Sequence, residues 1–404
     1  MISVDEAHQL LAQEVASLAP RTIELGNLLN LRLAESIVSD VDSPPFAKSL
    51  FDGYAINVSD ATTQRRVVEE VTAGNVPKST IGTGEVIRVM TGTQLPVGAN
   101  AVVKREECKN DGAAVGESVV LPDQLPEAGS GVMQRGASFA RDEEVLAAGK
   151  VLGPLDIALL AEIGRTSASA VPTPKVTVLP TGNELVEPGE PLDAGQIRNS
   201  NGPMLLASLE RAGFAGDQLS IGRDDPADLE AKFTAGMQAD VLLVTGGVSA
   251  GVLDLAPGLL KGMGVREVFH KVRMKPGKPV WFGVTEGGES RTYVFGLPGN
   301  PVSALVAFHL FALPLLRTLS GEPFAPPQQH RGALTDAFTH KGKRQTYFPS
   351  RVEAKGEREL PLVTPLDWRG SADLATLTRA QGLAVFEPGD YVTEAGAEVE
   401  LLTL

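Results

Sequence analysis

The sequence predicts a multidomain protein of α/β plus β class: a central α/β domain, an N-terminal β module with a helical linker region, and a small C-terminal β domain. Three observations predict it. Between residues 174 and 321, strand-like and helix-like stretches alternate, which argues a mostly parallel sheet covered by helices. From residue 46 to about 152, and again beyond residue 323, short β-branched runs alternate with Gly, Asn and Pro, as in all-β modules. The length, 404 residues, suits roughly two to three separate cores.

In chain order, Ser3-Val4-Asp5-Glu6 is a capping-box pattern and predicts a helix to about Leu18, ended by Pro20. Residues 22–40 carry a mixed pattern that assigns no element. Asp42-Ser43-Pro44-Pro45 reads as a linker. Runs at 67–71, 86–90, 101–104 and 118–121 read as strands, and Gly153-Pro154-Leu155 opens a helix to about Ile163. The alternating part then begins. Strands are expected at 175–179, 218–222, 241–245, 267–272, 280–284 and 292–295. Helices are expected at 203–212, closed by Gly213, at 226–237 with Pro226 in its first turn, and near 255–263. A long helix should run from Pro301 to about Leu319. Its apolar stretch, 302–316, holds His309 and Pro314 and is too short to span a bilayer. Gly321-Glu322-Pro323 marks the next boundary, and no fixed-period repeat is present.

Composition narrows the function. The formal net charge is −14, which disfavours nucleic acid and anionic membranes as partners. Cys108 is the only cysteine, so an intrachain disulfide and a cysteine-built zinc site are excluded and a reducing compartment is expected. The start, MISVDEAHQL, lacks a basic region followed by an apolar one, so a cytoplasmic location is expected. Gly 43 and Pro 28 exceed the average share, which implies many backbone-lined loops suited to ligand handling.

In an open α/β sheet, ligands bind at the carboxyl ends of the strands. The residues there are Thr181-Gly182-Asn183-Glu184, Arg223-Asp224-Asp225, Gly246-Gly247-Val248-Ser249-Ala250-Gly251 with Asp254 beyond, Met274-Lys275-Pro276-Gly277-Lys278, and Gly296-Leu297-Pro298-Gly299-Asn300-Pro301. Lys275 and Lys278 flank a Pro-Gly turn and can face one anion. Gly299-Asn300-Pro301 places Asn at the cap and Pro at the first turn of the long helix, leaving N–H groups for a phosphate. Glu184, Asp224 and Asp254 are hard oxygen donors suited to Mg²⁺, which usually meets one or two carboxylates plus substrate phosphates. The set fits a phosphate-bearing ligand with a metal. Each part has a plainer reading: a solvated lysine turn, carboxylates that cap helices or loops, glycines that permit tight packing, and an ordinary helix cap.

Gly247-Val248-Ser249-Ala250-Gly251 also matches the G-x-S-x-G nucleophile elbow. A hydrolase would need a downstream histidine, and of His270, His309, His330 and His340 only the last two read as loop-like. Cys108 follows the charged run 104–107 with no histidine near it. A serine hydrolase and a catalytic thiol are therefore both disfavoured.

Taken together, the motifs resemble the MoeA/gephyrin E-domain family of molybdenum-cofactor biosynthesis, the molybdopterin molybdenumtransferases. The resemblance rests on Pro44-Pro45-Phe46 leading to Asp52-Gly53-Tyr54-Ala55, on Arg88-Val89-Met90-Thr91-Gly92-Thr93 with Leu95-Pro96 and Gly98-Ala99-Asn100-Ala101-Val102-Val103, and on Thr181-Gly182-Asn183-Glu184-Leu185 through Gly195-Gln196-Ile197-Arg198-Asn199-Ser200-Asn201. Thr245-Gly246-Gly247-Val248-Ser249-Ala250-Gly251, Lys275-Pro276-Gly277-Lys278-Pro279 and Gly296 through Ala304 complete it. Six motifs in order run nearly end to end. One position departs: Ser138 stands where the family commonly carries Asp two residues after Gly136, with Asp142 four residues further on.

The resemblance implies four domains: 1–43 with 136–171 as a helical and extended linker domain, 44–135 as the N-terminal β module, 172–321 as a three-layer, MogA-like molybdopterin-binding α/β domain, and 322–404 as a small barrel-like β domain. It implies an elongated homodimer whose site is shared between subunits. The implied reaction inserts molybdenum from molybdate into adenylylated molybdopterin and releases AMP with the help of Mg²⁺ or another divalent cation. The substrate would be handed over by the adenylyltransferase acting one step earlier. Lys275 and Lys278 would clamp pyrophosphate or molybdate, with Arg344 and Ser371 reaching in from the C-terminal domain. Glu184 and Asp254 would hold the metal, with Asp224 nearby. Gly246, Gly247, Ser249, Pro298, Gly299, Asn300 and Pro301 would bind substrate. Asp52 and Thr91 would complete the site from the other subunit. An adenylyltransferase reading is disfavoured by the long flanking modules, and a scaffold reading by the absence of an appended region and the presence of the acidic loops.

Overall fold

The structure, a computed structural model, describes residues 1–247, 255–286, 291–356 and 359–404. The chain divides into two compact units. One comprises residues 1–21, 30–32 and 170–404, the other residues 22–29 and 33–169.

The first unit is built on a six-stranded sheet in the order Gly216–Gln218, Val176–Pro180, Val241–Thr245, Tyr293–Leu297, Trp281–Thr285, Val265–His270. The first four strands are parallel. Trp281–Thr285 runs antiparallel to both its neighbours, so Val265–His270 points the same way as the parallel four. Five carboxyl ends therefore meet at one edge, where the predicted loops gather. Val241–Thr245 is buried at every position, the continuous apolar run of a central strand covered on both faces. Its side chains alternate: Val241 and Leu243 join a core with Leu205, Leu209 and Val302, whereas Leu242 and Val244 join one with Leu229, Phe233 and Leu260. Helices Asn201–Arg211 and Pro301–Leu319 thus cover one face, and Pro226–Gly236 and Ala256–Gly262 the other.

The N-terminal helix spans Val4–Glu14 and starts in the predicted capping box, with Ser3 Oγ accepting from Glu6 N at 3.0 Å and Glu6 Oε2 accepting from Ser3 N at 2.6 Å. It ends four residues before Leu18, because Val15 is already extended. Val4, Ala7 and Leu11, spaced i, i+3, i+7, enter the α/β core.

The Pro301–Leu319 helix has the length and apolarity of a membrane span, but 83% of its most apolar 18-residue window is buried inside the protein, as a core helix is. Phe308–Ala312 forms a π-helical turn within it. Pro314 has no N–H to offer the carbonyl of Leu310, and His8 Nε2 donates to that carbonyl at 2.8 Å instead.

Five strands close a small barrel in the C-terminal part: Gln345–Glu353, Leu362–Pro365, Gln329–Leu334, Glu398–Thr403 and Gly382–Phe386, the last pairing back to the first. Leu334, Val363, Ala384, Phe386, Val399 and Leu401 fill it. The short strand Met274–Lys275 pairs in parallel with Gln345 and Thr346, tying the α/β edge to the barrel.

The second unit holds a five-stranded sheet in the order Ala101–Lys104, Gly53–Ile56, Glu85–Val89, Gln64–Val71, Ser118–Val120. The helix Pro154–Glu162 begins where predicted. Asp42–Pro45 is not a free linker: Asp42 accepts from Arg141 N at 2.8 Å and pairs with Arg135, and Ser43 bridges to Phe139 along the backbone.

Candidate active site

Gly277 shapes the lysine loop. Its φ is +100°, a left-handed conformation that strains any residue with a Cβ, so glycine turns the chain here. Lys275 and Lys278 stand exposed on either side of the turn. The pairing of Met274 with Gln345 brings Arg344 beside them, and Arg344 Nη1 donates to Met274 O at 3.2 Å. Ser371 arrives from the C-terminal part in the same way: Asn300 Nδ2 donates to its Oγ at 3.0 Å, and Val302 N donates to its carbonyl at 3.1 Å. The cleft so formed measures about 360 Å³ and includes Pro298, Ser303 and Trp368 in its wall. Among the described residues, three cations and no carboxylate line it. Among the described residues, Lys275, Lys278 and Arg344 form no ion pair. Cations left unpaired around a concavity on a chain of net charge −14 make an anion site.

Asn300 occupies the cap position of the long helix by backbone, φ −74° and ψ 130°, but its side chain does not cap. It is spent on Ser371, so it leaves the first helical N–H groups to other partners. Gly246, φ +86°, passes so close to Thr181 that a Cβ would sit 2.4 Å from its carbonyl oxygen.

A second cleft of about 510 Å³ adjoins the first through Asn300 and is lined by Glu184, Thr245, Gly299 and Pro301. Glu184 is exposed and folds its carboxylate back over Gly182. Asp224 is lashed to the same loop: its Oδ2 accepts from Asn183 N at 3.1 Å, and its own N donates to Asn183 Oδ1 at 3.1 Å. Arg223 Nη1 adds a bond to Leu185 O at 3.0 Å. The structure thus brings the loops of Glu184 and Asp224 together. Ser249 and Asp254, with most of the G-x-S-x-G match, lie outside the described residues. Among the described residues, no group of three or more His, Cys, Asp or Glu is placed to hold a metal ion. Glu184 is the carboxylate that lines this cleft, whereas the Asp224 carboxylate is engaged with Asn183 N. A single such carboxylate suits a hard cation that keeps water and takes phosphate oxygens from its ligand, not a cage made by protein alone.

Asp52 and Thr91 meet within the second unit. Asp52 Oδ1 accepts from both Thr91 N and Thr91 Oγ1, each at 2.7 Å. These two bonds hold the Asp52 carboxyl below the usual carboxylate range. The glycine after Asp52 answers to packing, not to a turn. Gly53 opens the strand Gly53–Ile56, and a Cβ on it would stand 2.0 Å from Val103 O. Thr91 sits beyond the end of a strand, Glu85–Val89, next to Gly92 with φ +83°. With Phe51 and Lys104 they line a cleft of about 640 Å³.

The histidines give a hydrolase nothing. His330 and His340 lie in strands, not loops, and both His340 ring nitrogens are taken, by Gly389 O at 2.8 Å and Thr346 Oγ1 at 3.0 Å. Burial pushes the Cys108 thiol up to about 11, so it stays protonated and unreactive near neutrality.

Comparison with known proteins decides the family. Over 99% of its length the chain is 31% identical to the molybdopterin molybdenumtransferase of Staphylococcus aureus strain MSSA476, covering 95% of that protein. The chain belongs to the molybdopterin molybdenumtransferase family. Molybdopterin molybdenumtransferase 2 of Mycobacterium tuberculosis is 35% identical over 85% of the chain and 86% of its own length. Family descriptions match in three consecutive stretches: MoeA N-terminal region (domain I and II) at 2–164, probable molybdopterin binding domain at 177–318, and MoeA C-terminal region (domain IV) at 331–404. Two crystal structures of the molybdopterin biosynthesis MoeA protein from Pyrococcus horikoshii share the fold. Their identities are 28% and 27% and their TM-scores 0.79 and 0.72, with 100% of this chain covered in each case.

Within this family frame, the sequence reading passed over Ser303 and Trp368 in the cationic cleft, and Thr181, Asn199, Asn201 and Thr245 in the polar one. All but Trp368 stand inside the quoted motifs. No periodicity marks Trp368, whose place is set by the barrel.

Proposed function

We propose that the chain inserts molybdenum from molybdate into adenylylated molybdopterin and releases AMP. The pair of adjoining clefts carries the reading: one is lined by three unpaired cations, and the other holds the Glu184 loop. Molybdate is a tetrahedral dianion, matched in charge by Lys275, Lys278 and Arg344, with the Ser371 hydroxyl as a further donor. The phosphates and rings of the larger substrate extend into the polar cleft. A divalent cation, Mg²⁺ in this reading, is held by Glu184 and Asp254 with Asp224 nearby. When bound, it supplies positive charge between carboxylates and phosphate, which at about 4 Å repel by several kcal/mol at intermediate dielectric. Asp52 and Thr91 of a second copy complete the site in a two-fold homodimer, a reading that rests on the family resemblance. The enzyme works in the cytoplasm and receives its substrate from the adenylyltransferase one step earlier.

The test is turnover of purified protein with adenylylated molybdopterin, molybdate and Mg²⁺. AMP should appear without ATP being consumed. Lys275→Ala and Lys278→Ala should each weaken molybdate binding by about 1.5–3 kcal/mol, the worth of a charge-assisted contact. AMP release that needs added ATP, or wild-type molybdate affinity in both variants, would sink the reading.

A further inference from the structure

Behind the cationic cleft, a buried histidine and threonine share more hydrogen bonds than their neutral forms can make. His340 and Thr346 are 3% and 4% exposed. His340 Nδ1 lies 2.8 Å from Gly389 O, and its Nε2 lies 3.0 Å from Thr346 Oγ1. Thr346 Oγ1 in turn lies 3.2 Å from Arg344 O. Thr346 also stands opposite Lys275 in the parallel pair that ties the α/β edge to the barrel. The imidazole is packed against the rings of Phe386 and Tyr391, with centroids 6.0 Å and 5.3 Å away. Turning it over would put carbons at both contacts, so its surroundings select this orientation.

Proton counting makes the group two-state. A carbonyl only accepts, so Nδ1 carries a proton. In the neutral ring Nε2 is then bare and takes the single hydroxyl proton of Thr346, and the bond to Arg344 O is lost. In the charged ring Nε2 donates to Thr346 Oγ1, the hydroxyl proton turns to Arg344 O, and all three contacts are made at once. That carbonyl belongs to the residue whose guanidinium is tied to Met274 O and lines the cleft beside Lys275 and Lys278.

We infer that His340, acting through the Thr346 hydroxyl, positions Arg344 in the cationic cleft, and does so when its imidazole is protonated. This rests on the proposed function, in which Arg344 helps to clamp molybdate. Neither His340 nor Thr346 lines the cleft, and both lie outside the motifs that carry the family resemblance. Histidine changes charge between about pH 5 and 8, so Arg344 is held more firmly on the acid side of that range. The other charged or titratable groups on the elements around the ring are Tyr391 and Asp390 on the paired strand and its turn, Glu387 after the strand Gly382–Phe386, Lys341 and Lys343 on its own loop, and Lys275 across from Thr346. All of them stay in place when the Thr346 hydroxyl is removed.

The experiment measures molybdate binding to the full-length protein by calorimetry at pH 6 and pH 8. Thr346→Val deletes the hydroxyl and keeps the imidazole. The ratio of affinities at pH 6 and pH 8 should be about three- to tenfold larger in wild type than in this variant, the range set by one hydrogen bond. Thr346→Ser should restore the wild-type ratio. His340→Gln, whose side chain cannot change charge, should show the low ratio of Thr346→Val and supplies the comparison if the valine variant does not fold. In an Arg344→Ala background, Thr346→Val should have no further effect on affinity, because the relay acts through Arg344. Equal ratios in wild type, Thr346→Val and His340→Gln would overturn the inference. So would a Thr346→Val effect that persists without the Arg344 side chain, or a lowered melting temperature in both variants with molybdate affinity unchanged, which marks a purely structural role. Absence of molybdate binding by wild type would strike the proposed function itself, and the inference with it.

Discussion

The Asp52 carboxylate shows how much a single neighbour sets. Two donors from Thr91, the backbone N–H first and the hydroxyl second, hold its pKa down, and Arg105 and Arg88 add to this. A depressed carboxyl stays ionised until the pH falls through its lowered value. Thr91→Val keeps the backbone donor and removes the hydroxyl, so the Asp52 pKa should rise toward the ordinary range. If Asp52 acts as a carboxylate in turnover, the acidic limb of the pH–rate profile should move to higher pH in this variant. Coincident limbs in wild type and Thr91→Val would show that the hydroxyl does not set the Asp52 charge. Asp52 and Thr91 were both legible as signature positions, but their mutual bond was not. They are 39 residues apart, and only strand pairing in the five-stranded sheet brings them together.

At the scale of elements, the long helix shows where sequence pattern runs out. Its extent was plain from apolar residues between Pro301 and Leu319, but the π-helical turn was not. That turn puts His309 where burial, with help from Arg211 and Arg317, pushes its imidazole down to about 4. The ordinary value is near 6.5, so between pH 6.5 and 4 the unfolded chain binds this proton and the folded one does not. Stability from this residue is therefore full above pH 6.5 and is lost as the pH falls toward 4, by about 3 kcal/mol at most. Urea unfolding at pH 7 and pH 4.5 should show a smaller acid loss in His309→Leu than in wild type. Equal losses would show that His309 does not carry this pH dependence. Five of the six strands of the α/β sheet were legible to within about two residues, since β-branched runs and Gly-rich ends mark them; the edge strand expected at 218–222 lies instead at Gly216–Gln218. The antiparallel direction of Trp281–Thr285 was not legible, because a buried strand reads alike in both directions.

For the whole molecule, the proposed sharing of the site between two copies makes a quantitative prediction. Chains carrying Asp52→Ala and chains carrying Lys275→Ala, each inactive alone, should complement on mixing. Random exchange makes about half the dimers mixed, and each mixed dimer has one intact site of two, so about a quarter of wild-type activity should return. No recovery after subunit exchange verified by mass would show that the site is built within one chain or that Asp52 is structural.

The sequence by itself determined the class of fold, the order of its parts and the list of reactive loops. Those are local properties: glycine tolerates positive φ at Gly246 and Gly277, β-branched runs favour strands, and charged side chains mark the loops between them. Only the tertiary structure decided which side chains share a cleft. Arg344 reaches Lys275 because Met274 pairs with Gln345, and Ser371 is held because Asn300 spends its side chain there instead of on the helix cap. It also decided that Asn199, Asn201 and Thr245 are buried without partners. No local pattern encodes such a deficit, because whether a polar atom is satisfied depends on what distant segments bring to it, and here they bring one partner too few for each.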